Sequence, residues 1–518
     1  MSFTRRQMLL NMAAASGFHS LKAAARAHGL IAPDPHGGLA SDLAARSEQA
    51  RDTSDTETGT YRLLVNASTN QRLGVPFRLS AAVLRLGRRD RYRGPVTFRC
   101  SDPRATLPGP YEFSAKDDLY ESHLFEMTLH SEGQHVITVC EEELGTEFTS
   151  NVIMASSREP KFKLYFGDVH IHSQWSVDGR REPDYSYIYA RDAMNLDFAC
   201  LTEHDPSDYV WDRVKAKAKE LYEPGRFATM SAYEWTAHNL HEGHKNVYYR
   251  DCEGPILRSN FFPDRAGTTS AADLWSKLRK AGVTGKTALT IPHHPASKTF
   301  PVPWEHYDSD FQRCVEIYST WGNSESPDGP RQIRWEEGPA RGHFVQDGLA
   351  AGQRLGFVGG SDSHSGRPGY PAHSSHYHDT DYVHWEPELH PGGTTGVYAD
   401  ELSREAVFDA IRSRRCFATT GQRIVVQFKA GEHWMGEEYK SANAPHLSVK
   451  VLGTAPLASV TIVKNNQDYV RMDGRGRREM EFEYGETAPP KETDYYYVRV
   501  IQEDFEMAWA SPIWISRP

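Results

Sequence analysis

Histidine is concentrated in the middle of this sequence. The 518 residues include 24 histidines, and 16 of these lie between His170 and His390. Imidazole is the most common metal ligand in proteins and a proton carrier near neutral pH. Metal binding or acid–base chemistry is therefore the first hypothesis for this segment, and a histidine-rich surface is the alternative.

Short motifs of histidine and carboxylate residues follow successive apolar, strand-like runs in this segment. His170 and His172 stand two residues apart at the end of one run, so their side chains share one face of a strand. The last motif, Asp362-Ser-His364, lies on a glycine-rich turn that lets the backbone approach a ligand. The motifs between them contain His204, Glu234, His244, His293 and His294. Groups of these types are common ligands of divalent metals, so the sequence predicts a metal site.

Three details of these motifs stay open. Adjacent residues in an extended segment point to opposite sides, so only one of His293 and His294 is expected to ligate, and His293 is favoured because it ends the strand. Glu316, inside another apolar run, fits either a site role or a buried salt bridge to an arginine. Near His204, one carboxylate such as Asp205 is expected to cap the next helix.

The elements that must position these motifs alternate between strands and helices over residues 160–421. Helical stretches are expected at 184–194, 208–221, 271–281, 330–351 and 404–414. Repeated βα units imply a parallel sheet or barrel with its site at the carboxyl ends of the strands. Such an architecture would bring the five motifs together.

The flanking regions have a different texture. Short β-branched or alternating runs between turn residues over 59–157 predict an immunoglobulin-like β-sandwich. Residues 424–518 return to strand patterns and predict a second sandwich. The predicted fold is therefore multidomain, with a central barrel between two β-sandwich domains.

The amino-terminal segment resembles an export signal. Arg5 and Arg6 precede a short, weakly apolar run, and Ala25-Arg26-Ala27 offers a small-x-small cleavage site. We expect a twin-arginine-type signal over 1–27, a linker over 28–58 and a periplasmic location, with a basic helix as the alternative. No later segment is long and apolar enough to span a bilayer.

Charge and cysteine content exclude several classes of protein. The net charge of −10 and the lack of a Lys/Arg-rich block argue against nucleic acid as a partner. The six cysteines form no CxxC pair, which argues against a thiolate zinc site. Cys100 and Cys140 are either a disulfide or two free thiols.

The ordered set of motifs resembles the PHP (polymerase and histidinol phosphatase) superfamily, and the tail around Arg414-Arg-Cys-Phe resembles its exported, carbaryl-hydrolase-like bacterial group. The resemblance implies a distorted (βα)7-type barrel with two or three divalent ions, commonly Mn, Zn or Fe. The ligand set that it implies is His170, His172, Asp178, His204, Glu234, His244, His293, His294, Asp362 and His364. Two histidines before Pro295, where relatives carry one, leave the second ion's ligand open. The resemblance supports a third ion least, because Asp178 would be one of its ligands.

The expected activity is hydrolysis of a small-molecule ester by a metal-bound hydroxide, because no GxSxG nucleophile motif is present. Asp362 or His364 would act as general acid or base, and Arg367 or Lys245 would hold an anionic oxygen. A phosphoester is the leading substrate, and a carbamate or carboxylic ester is the alternative. A non-catalytic surface- or carbohydrate-binding protein with a degenerate barrel is the competing class. The sequence predicts no oligomeric state.

Overall fold

The computed structural model describes residues 61–85, 93–142, 145–237, 242–260, 267–334, 338–369 and 390–518. All of them belong to one compact unit, Ala50–Pro518. The predicted signal segment 1–27 and linker 28–58 lie outside the described residues. Among the helices that the structure describes, none has the length and apolarity to cross a membrane.

The amino-terminal region consists of three small sheets around one core. The sheet orders are β1-β3-β6, β5-β4-β8-β9 and β2-β10-β7. In β8, Ile137 and Val139 alternate with less buried residues and face the shared core, as period-2 patterning requires. The strands are β1 (Tyr61–Ala67), β2 (Asn70–Arg72), β3 (Phe77–Arg85), β4 (Pro95–Cys100), β5 (Tyr111–Glu112), β6 (Ser122–Met127), β7 (Gly133–His135), β8 (Ile137–Glu141), β9 (Thr146–Thr149) and β10 (Ile153–Ser156).

The two cysteines of this region are free thiols. Cys100 pairs with Ile137 in the register of β4 and β8, whereas Cys140 pairs with Thr97. The two residues are therefore not cross-strand neighbours, which explains why no bridge joins them.

The central region carries eleven strands and five α-helices among the described residues. The strands are β11 (Lys163–Ile171), β12 (Phe198–His204), β13 (Ala228–Thr229), β14 (Ser231–Thr236), β15 (His244–Tyr249), β16 (Ala288–His293), β17 (Cys314–Ser319), β18 (Gly322–Asn323), β19 (Gly356–Gly359), β20 (Thr394–Ala399) and β21 (Cys416–Thr419). The helices are α1 (Pro183–Ile188), α2 (Asp208–Glu220), α3 (Ala271–Lys280), α4 (Val345–Ala350) and α5 (Arg404–Arg412). The described residues also form a π-turn (Tyr189–Ala193) in this region and a short 3-10 turn (Ala115–Asp117) in the amino-terminal region.

The main sheet is mixed rather than parallel. Its order across this region is β16-β15-β14-β12-β11-β20-β21. Strands β11, β12 and β14 are parallel, but β15 is antiparallel to both its neighbours and β20 is antiparallel to β11. Strand β17 pairs in parallel with β19 and antiparallel with β18 in a small separate sheet, and β17 and β19 pack beside β16 and β21.

The predicted (βα)7 barrel is wrong. The structure is mostly β-sheet, with 42% strand, 13% helix and five α-helices among the described residues, which are too few helices for a (βα)7 barrel. One physical reason lies between Thr236 and His244: seven residues are too few for the crossover that a parallel connection needs, so β15 turns back as a hairpin partner of β14. Another lies in the predicted helix 330–351, which Gly338, Pro339 and Gly342 interrupt so that only α4 forms.

Three predicted helices are confirmed to within two residues, namely α2, α3 and α5. Each begins at a serine whose side chain accepts a backbone N–H of the first turn: Ser207, Ser270 and Ser403. The capping residue of α2 is therefore Ser207, and the expectation that a neighbouring carboxylate caps it is wrong.

The carboxyl-terminal region continues the main sheet. Beyond β21 the sheet order is β30-β29-β26-β27, and a separate sheet has the order β23-β22-β25-β28. Phe166 and Phe417 of the central region share a core with Val498 and Ile515 of this region. The strands are β22 (Val425–Ala430), β23 (His433–Trp434), β24 (Glu438–Lys440), β25 (His446–Leu452), β26 (Leu457–Lys464), β27 (Gln467–Asp473), β28 (Glu479–Gly485), β29 (Thr493–Gln502), β30 (Met507–Ala510) and β31 (Ile513–Ser516).

Candidate metal centre

The ends of several central strands meet at one edge of the sheet. His170 and His172 lie at the end of β11, and His204 ends β12 opposite Glu234 of β14. His244 begins β15 and stands opposite His293, the last residue of β16. Because β15 and β16 are antiparallel, the start of one and the end of the other reach the same edge.

The innermost group of this site contains two imidazoles and two carboxylates. The Nε2 atoms of His170 and His172 lie 3.1 Å apart. Each lies within 3.4 Å of Glu234 Oε2, at 3.4 and 3.3 Å respectively. Asp362 Oδ1 lies 3.3 Å from the Nε2 atom of His170 and 3.2 Å from that of His172. All four side chains are almost completely buried, so their polar atoms converge where water has little access.

Glu234 connects this group to a second cluster of histidines. Its Oε1 atom lies 2.9 Å from His244 Nδ1, while its Oε2 atom lies 3.5 Å from His293 Nε2. One nitrogen each of His244, His293 and His294 lie within 4.8 Å of one another. The two oxygens of one carboxylate therefore face two adjacent ligand groups.

Both histidines of the His293-His294 pair reach the site, each with a nitrogen in the cluster with His244, and the expectation that only one of them ligates a metal stays a prediction. His293 ends β16 in an extended conformation, but His294 has a φ of +33°. A left-handed residue breaks the alternation of the strand and turns the second side chain toward the same side. Asp362, with a φ of +53°, is another non-glycine residue of the site in this region of backbone space.

Three further residues form the rim of the site. His204 Nε2 lies 3.4 Å from Asp178 Oδ1, and His364 Nε2 lies 3.5 Å from Asp178 Oδ2. Nitrogens of His172, His204 and His364 lie within 4.8 Å of one another. The exposed fractions of these side chains are 39% for Asp178, 18% for His204 and 22% for His364, so this is the side from which a small molecule can approach.

Burial and neighbouring charges shift the pKa values of the site residues in opposite directions. Burial alone would lower the pKa of His170, but the carboxylates of Asp362 and Glu316 raise it well above the usual range. The reverse holds for Asp362, since burial raises its pKa but His170 and other imidazoles hold it well below normal. Burial, followed by the charge of His170, lowers the pKa of His293 to about 3. His293 is therefore neutral at pH 7, the form in which imidazole binds a metal.

The structure shows the contacts of the carboxylates near the site whose roles the sequence did not determine. Glu316 contacts His170, with Oε2 3.0 Å from Nδ1, rather than an arginine. Glu203 accepts hydrogen bonds from the hydroxyls of Ser173 and Ser176 at 2.5 and 2.6 Å. Asp205 accepts from the backbone N–H of Ser259, at 2.9 Å, and from its hydroxyl.

Sequence reasoning missed Asp168, which holds the last motif in place. Its Oδ1 atom accepts backbone N–H groups of His170 and Ser361, at 3.0 and 2.9 Å, and its Oδ2 atom accepts that of Gly369 at 2.8 Å. Trp321 is a further residue of the site, since its indole donates to Asp362 Oδ2 at 2.5 Å. A carboxylate within an apolar strand was the signal that marked Glu316, and it applies equally to Asp168.

The two cations proposed from sequence contact other groups. The Lys245 ammonium donates to the Glu242 carbonyl oxygen at 2.8 Å, because adjacent residues in β15 point to opposite faces and His244 takes the site face. Arg367 Nη2 lies 3.2 Å from Glu121 Oε2 in the amino-terminal region. A role of Arg367 toward substrate therefore stays a prediction, and the structure supplies a bracing contact instead.

The residues present fit a divalent metal. His/Glu clusters in the described part of the chain are arranged so that they could hold an ion. Several buried ligand atoms make no hydrogen bond to the described residues, including His244 Nε2, both ring nitrogens of His293 and Asp362 Oδ1. Buried polar atoms of this kind are costly unless another group satisfies them, and a cation would do so.

A match to one known family covers part of this site. The chain is similar to a family of unknown function. The match to this family, described as Protein of unknown function (DUF3604), covers residues 186–299 and 346–454, less than half of the chain. These ranges include seven of the ten predicted ligands and leave out His170, His172 and Asp178.

The relatives are uncharacterised. A Chlamydia trachomatis protein is 30% identical over 397 residues, which cover 71% of this chain and 60% of that protein. A Chlamydia pneumoniae protein is 27% identical over 377 residues, with 68% and 57% covered. The chain thus spans between 57% and 60% of the length of these relatives.

Solved structures align with this chain only at low similarity. The D0-D1 domain of Intimin aligns with 22% of this chain and 58% of its own, at 12% identity and a TM-score of 0.17. A Paenibacillus sp. cycloisomaltooligosaccharide glucanotransferase aligns with 87% of this chain and 71% of its own, at 9% identity and a TM-score of 0.21. Scores this low show neither fold nor function.

The expected resemblance to the PHP superfamily is wrong. The family that matches is one of unknown function, and the architecture is mostly β-sheet with few helices rather than a PHP barrel. The expectation rested on the ordered motifs, which show the side chains that follow each strand. They did not record whether those strands were joined by helices or by hairpins.

Proposed function

We propose that this protein is a metal-dependent hydrolase that acts on a small-molecule ester. One observation carries the proposal: two imidazole Nε2 atoms, of His170 and His172, lie 3.1 Å apart and 3.2 to 3.4 Å from the carboxylate oxygens of Glu234 and Asp362. Acceptor atoms this close repel one another unless protons or a cation lie between them. A buried set of this composition is typical of a divalent metal site.

Bound cations would lower the pKa of a water toward about 7 and stabilise negative charge at the attacked centre. We assign two or three ions, with Mn, Zn or Fe as candidates. Glu234 orients two adjacent ligand groups through its two oxygens. The buried histidines exclude bulk water from the inner part of the site.

His364 is suited to move a proton at the rim. Its Nε2 atom lies 3.5 Å from Asp178 Oδ2, and its Nδ1 atom lies 3.0 Å from the backbone oxygen of Asp362. Burial lowers the pKa of His364, but Asp178 outweighs this and raises it. We assign His364 as the general acid for the leaving group, with Asp362 as the ligand that faces it.

The leading substrate is a phosphoester, whose charge the cations would balance. A neutral carbamate or carboxylic ester is the second candidate, and a specific observation favours it. Lys245 and Arg367, the side chains expected to hold a phosphate oxygen, contact Glu242 and Glu121 instead. A site without these cations depends on its metals alone to bind an anion.

We also propose that the protein is exported to the periplasm, on the basis of Arg5-Arg6 and the short apolar run that follows. This proposal is independent of the site. A reporter fused to residues 1–58 tests it: export that is lost when both arginines become lysine supports it, and cytoplasmic retention of the unchanged fusion would contradict it.

The proposed activity is tested by a hydrolysis screen. The purified full-length protein is stripped of metal and reloaded with Mn, Zn or Fe, then assayed on p-nitrophenyl phosphate, bis-p-nitrophenyl phosphate and 1-naphthyl methylcarbamate. Glu234→Gln is the loss-of-site variant. Glu325→Gln, at a buried glutamate that contacts Tyr497 and Trp509 and no imidazole, is the matched control.

The outcomes of the screen distinguish the candidate functions. Turnover that metal restores, that Glu234→Gln abolishes and that Glu325→Gln retains supports the proposal, and the substrate hydrolysed decides between P–O and C–O cleavage. Turnover that does not depend on metal would contradict it. Silence on all three substrates with metal bound would favour a non-catalytic binding protein.

A further inference from the structure

Two buried glutamates lie behind the histidines at the centre of the site. Glu316, in β17, is only 1% exposed, and its Oε2 atom lies 3.0 Å from His170 Nδ1. An ionised carboxylate only accepts hydrogen bonds, so the shared proton belongs to Nδ1. In a neutral ring the other nitrogen, Nε2, then carries a lone pair. Nε2 is the atom that faces Glu234, Asp362 and the second imidazole.

A second chain of hydrogen bonds reaches His172. The Ser176 hydroxyl donates its one proton to Glu203 Oε2 at 2.6 Å. Because its one proton is used in this way, the Ser176 Oγ atom can only accept from His172 Nδ1, which lies 3.1 Å away. Ser173 donates to the other oxygen of Glu203 at 2.5 Å and fixes the carboxylate. His172 thus also presents the Nε2 lone pair to the centre.

Another buried glutamate shows how a carboxylate with a structural role is paired. Glu325 is 2% exposed in its side chain and contacts the Arg499 guanidinium at 2.9 Å, with Tyr497 and Trp509 donating to it. Within the part of the chain that the structure describes, Glu316 and Glu203 form no ion pair with a lysine or arginine. Glu316 contacts the His170 imidazole, and Glu203 contacts serine hydroxyls and a backbone N–H. Burying two carboxylates without a lysine or arginine partner is costly unless hydrogen bonds and a positive charge close by, such as a bound cation, offset the cost.

We propose that Glu316 and the Ser176–Glu203 pair are positioning residues, which fix the tautomer and the ring orientation of His170 and His172 so that both Nε2 atoms face the metal centre. The inference rests on the proposed metal-dependent function. Residues that accept the second ring N–H of a metal-bound histidine typically contribute about 10- to 100-fold to metal affinity. Neither Glu316 nor Ser176 would touch the metal itself.

The test measures metal affinity rather than activity. Mn²⁺ and Zn²⁺ are titrated by calorimetry into full-length, metal-stripped wild type, Glu316→Gln, Ser176→Ala, Ser176→Thr and the control Glu325→Gln. Circular dichroism and the Tm of each metal-free variant show whether it is folded. Glu316→Gln and Ser176→Ala are expected to raise the Kd by about 10- to 100-fold. Ser176→Thr, which keeps the hydroxyl, and Glu325→Gln are expected to stay near the wild-type value.

The outcomes separate this inference from the proposed function. Unchanged Kd values in Glu316→Gln and Ser176→Ala, with tight binding by the wild type, would overturn the positioning roles and leave the metal site standing. An equal loss in Glu325→Gln would also overturn them, because burial rather than imidazole orientation would then explain the effect. A wild type that binds neither metal would overturn both proposals.

Discussion

At the scale of single residues, the metal-free site is held together by shared protons. The pKa of His170 is raised well above normal because Asp362 and Glu316 outweigh its burial, and the pKa of His204 is raised for a similar reason by Glu234 and Asp178. Both imidazoles therefore hold a second proton more readily than a free imidazole does when no metal is bound. A cation must displace those protons to bind.

Metal binding is accordingly expected to release protons, and the apparent affinity should rise as the pH rises. The sign follows from the raised pKa values, since protonated histidines compete with the cation at low pH. Calorimetry at pH 7 in two buffers of different ionisation enthalpy measures the number of protons released. A heat of binding that is independent of the buffer would contradict this account of the site.

The His293-His294 pair gives a second residue-scale prediction. Because His294 turns into the site with a φ of +33°, His293→Asn and His294→Asn are each expected to weaken metal binding or to reduce the number of bound ions. His306→Asn is the matched control, because His306 contacts Glu242 outside the cluster. Metal analysis after dialysis measures the effect. Full metal content in His294→Asn would show that only its neighbour ligates.

The residue types of the site could be predicted from sequence because strand ends are visible in a hydrophobic pattern. His170 and His172 share a strand face by the period of two, and the structure brings their Nε2 atoms to 3.1 Å. The same rule failed at His294, where a left-handed residue ends the alternation. Backbone conformation at a single residue is not encoded in the pattern around it, so this contact required the structure.

At the scale of elements, the loop after β19 depends on one buried carboxylate. Asp168 accepts three backbone N–H groups, two of them from Ser361 and Gly369 at either end of the segment that carries Asp362 and His364. The loop therefore holds its ligands in place through β11 and not through a helix of its own.

Asp168→Ala is expected to lower the free energy of unfolding by about 2 to 4 kcal/mol, since it leaves buried N–H groups without an acceptor. It should also weaken metal binding, because Asp362 is held by the same segment. Chemical denaturation and calorimetry measure the two effects. A variant with wild-type stability and affinity would show that the loop does not depend on this residue.

Helices with a serine cap and an amphipathic face could be predicted well, as α2, α3 and α5 show. The connections between strands could not. Strand β15 follows β14 after seven residues and pairs with it antiparallel, and the described residues of the predicted helix 330–351 form a helix only over Val345–Ala350. Strand pairing depends on contacts far apart in sequence, and local patterns do not specify it.

At the scale of the whole molecule, Arg423 joins three parts of the chain. It follows β21, and its guanidinium donates to the carbonyl oxygens of Ala67, Met194 and Asn195 at 2.7, 2.7 and 2.8 Å. The amino-terminal region, the π-turn segment and the start of the carboxyl-terminal region are thereby connected by one buried side chain.

Arg423→Ala is expected to lower the free energy of unfolding by about 3 kcal/mol or more, because three buried carbonyl groups lose their donor. The exposed Arg72→Ala is the control and should change stability by less than about 0.5 kcal/mol. Urea denaturation followed by tryptophan fluorescence measures both. Equal stability of the two variants would contradict the connecting role of Arg423.

The central claim is that the histidines and carboxylates gathered around Glu234 at the sheet edge bind metal. The most direct measurement is anomalous X-ray diffraction from crystals of the full-length protein loaded with Mn or Zn, with metal analysis of the same preparation. We expect anomalous peaks within coordination distance of Glu234, His170 and His293, with at least two ions per chain. Peaks elsewhere in the molecule, or none at this cluster under saturating metal, would contradict the account.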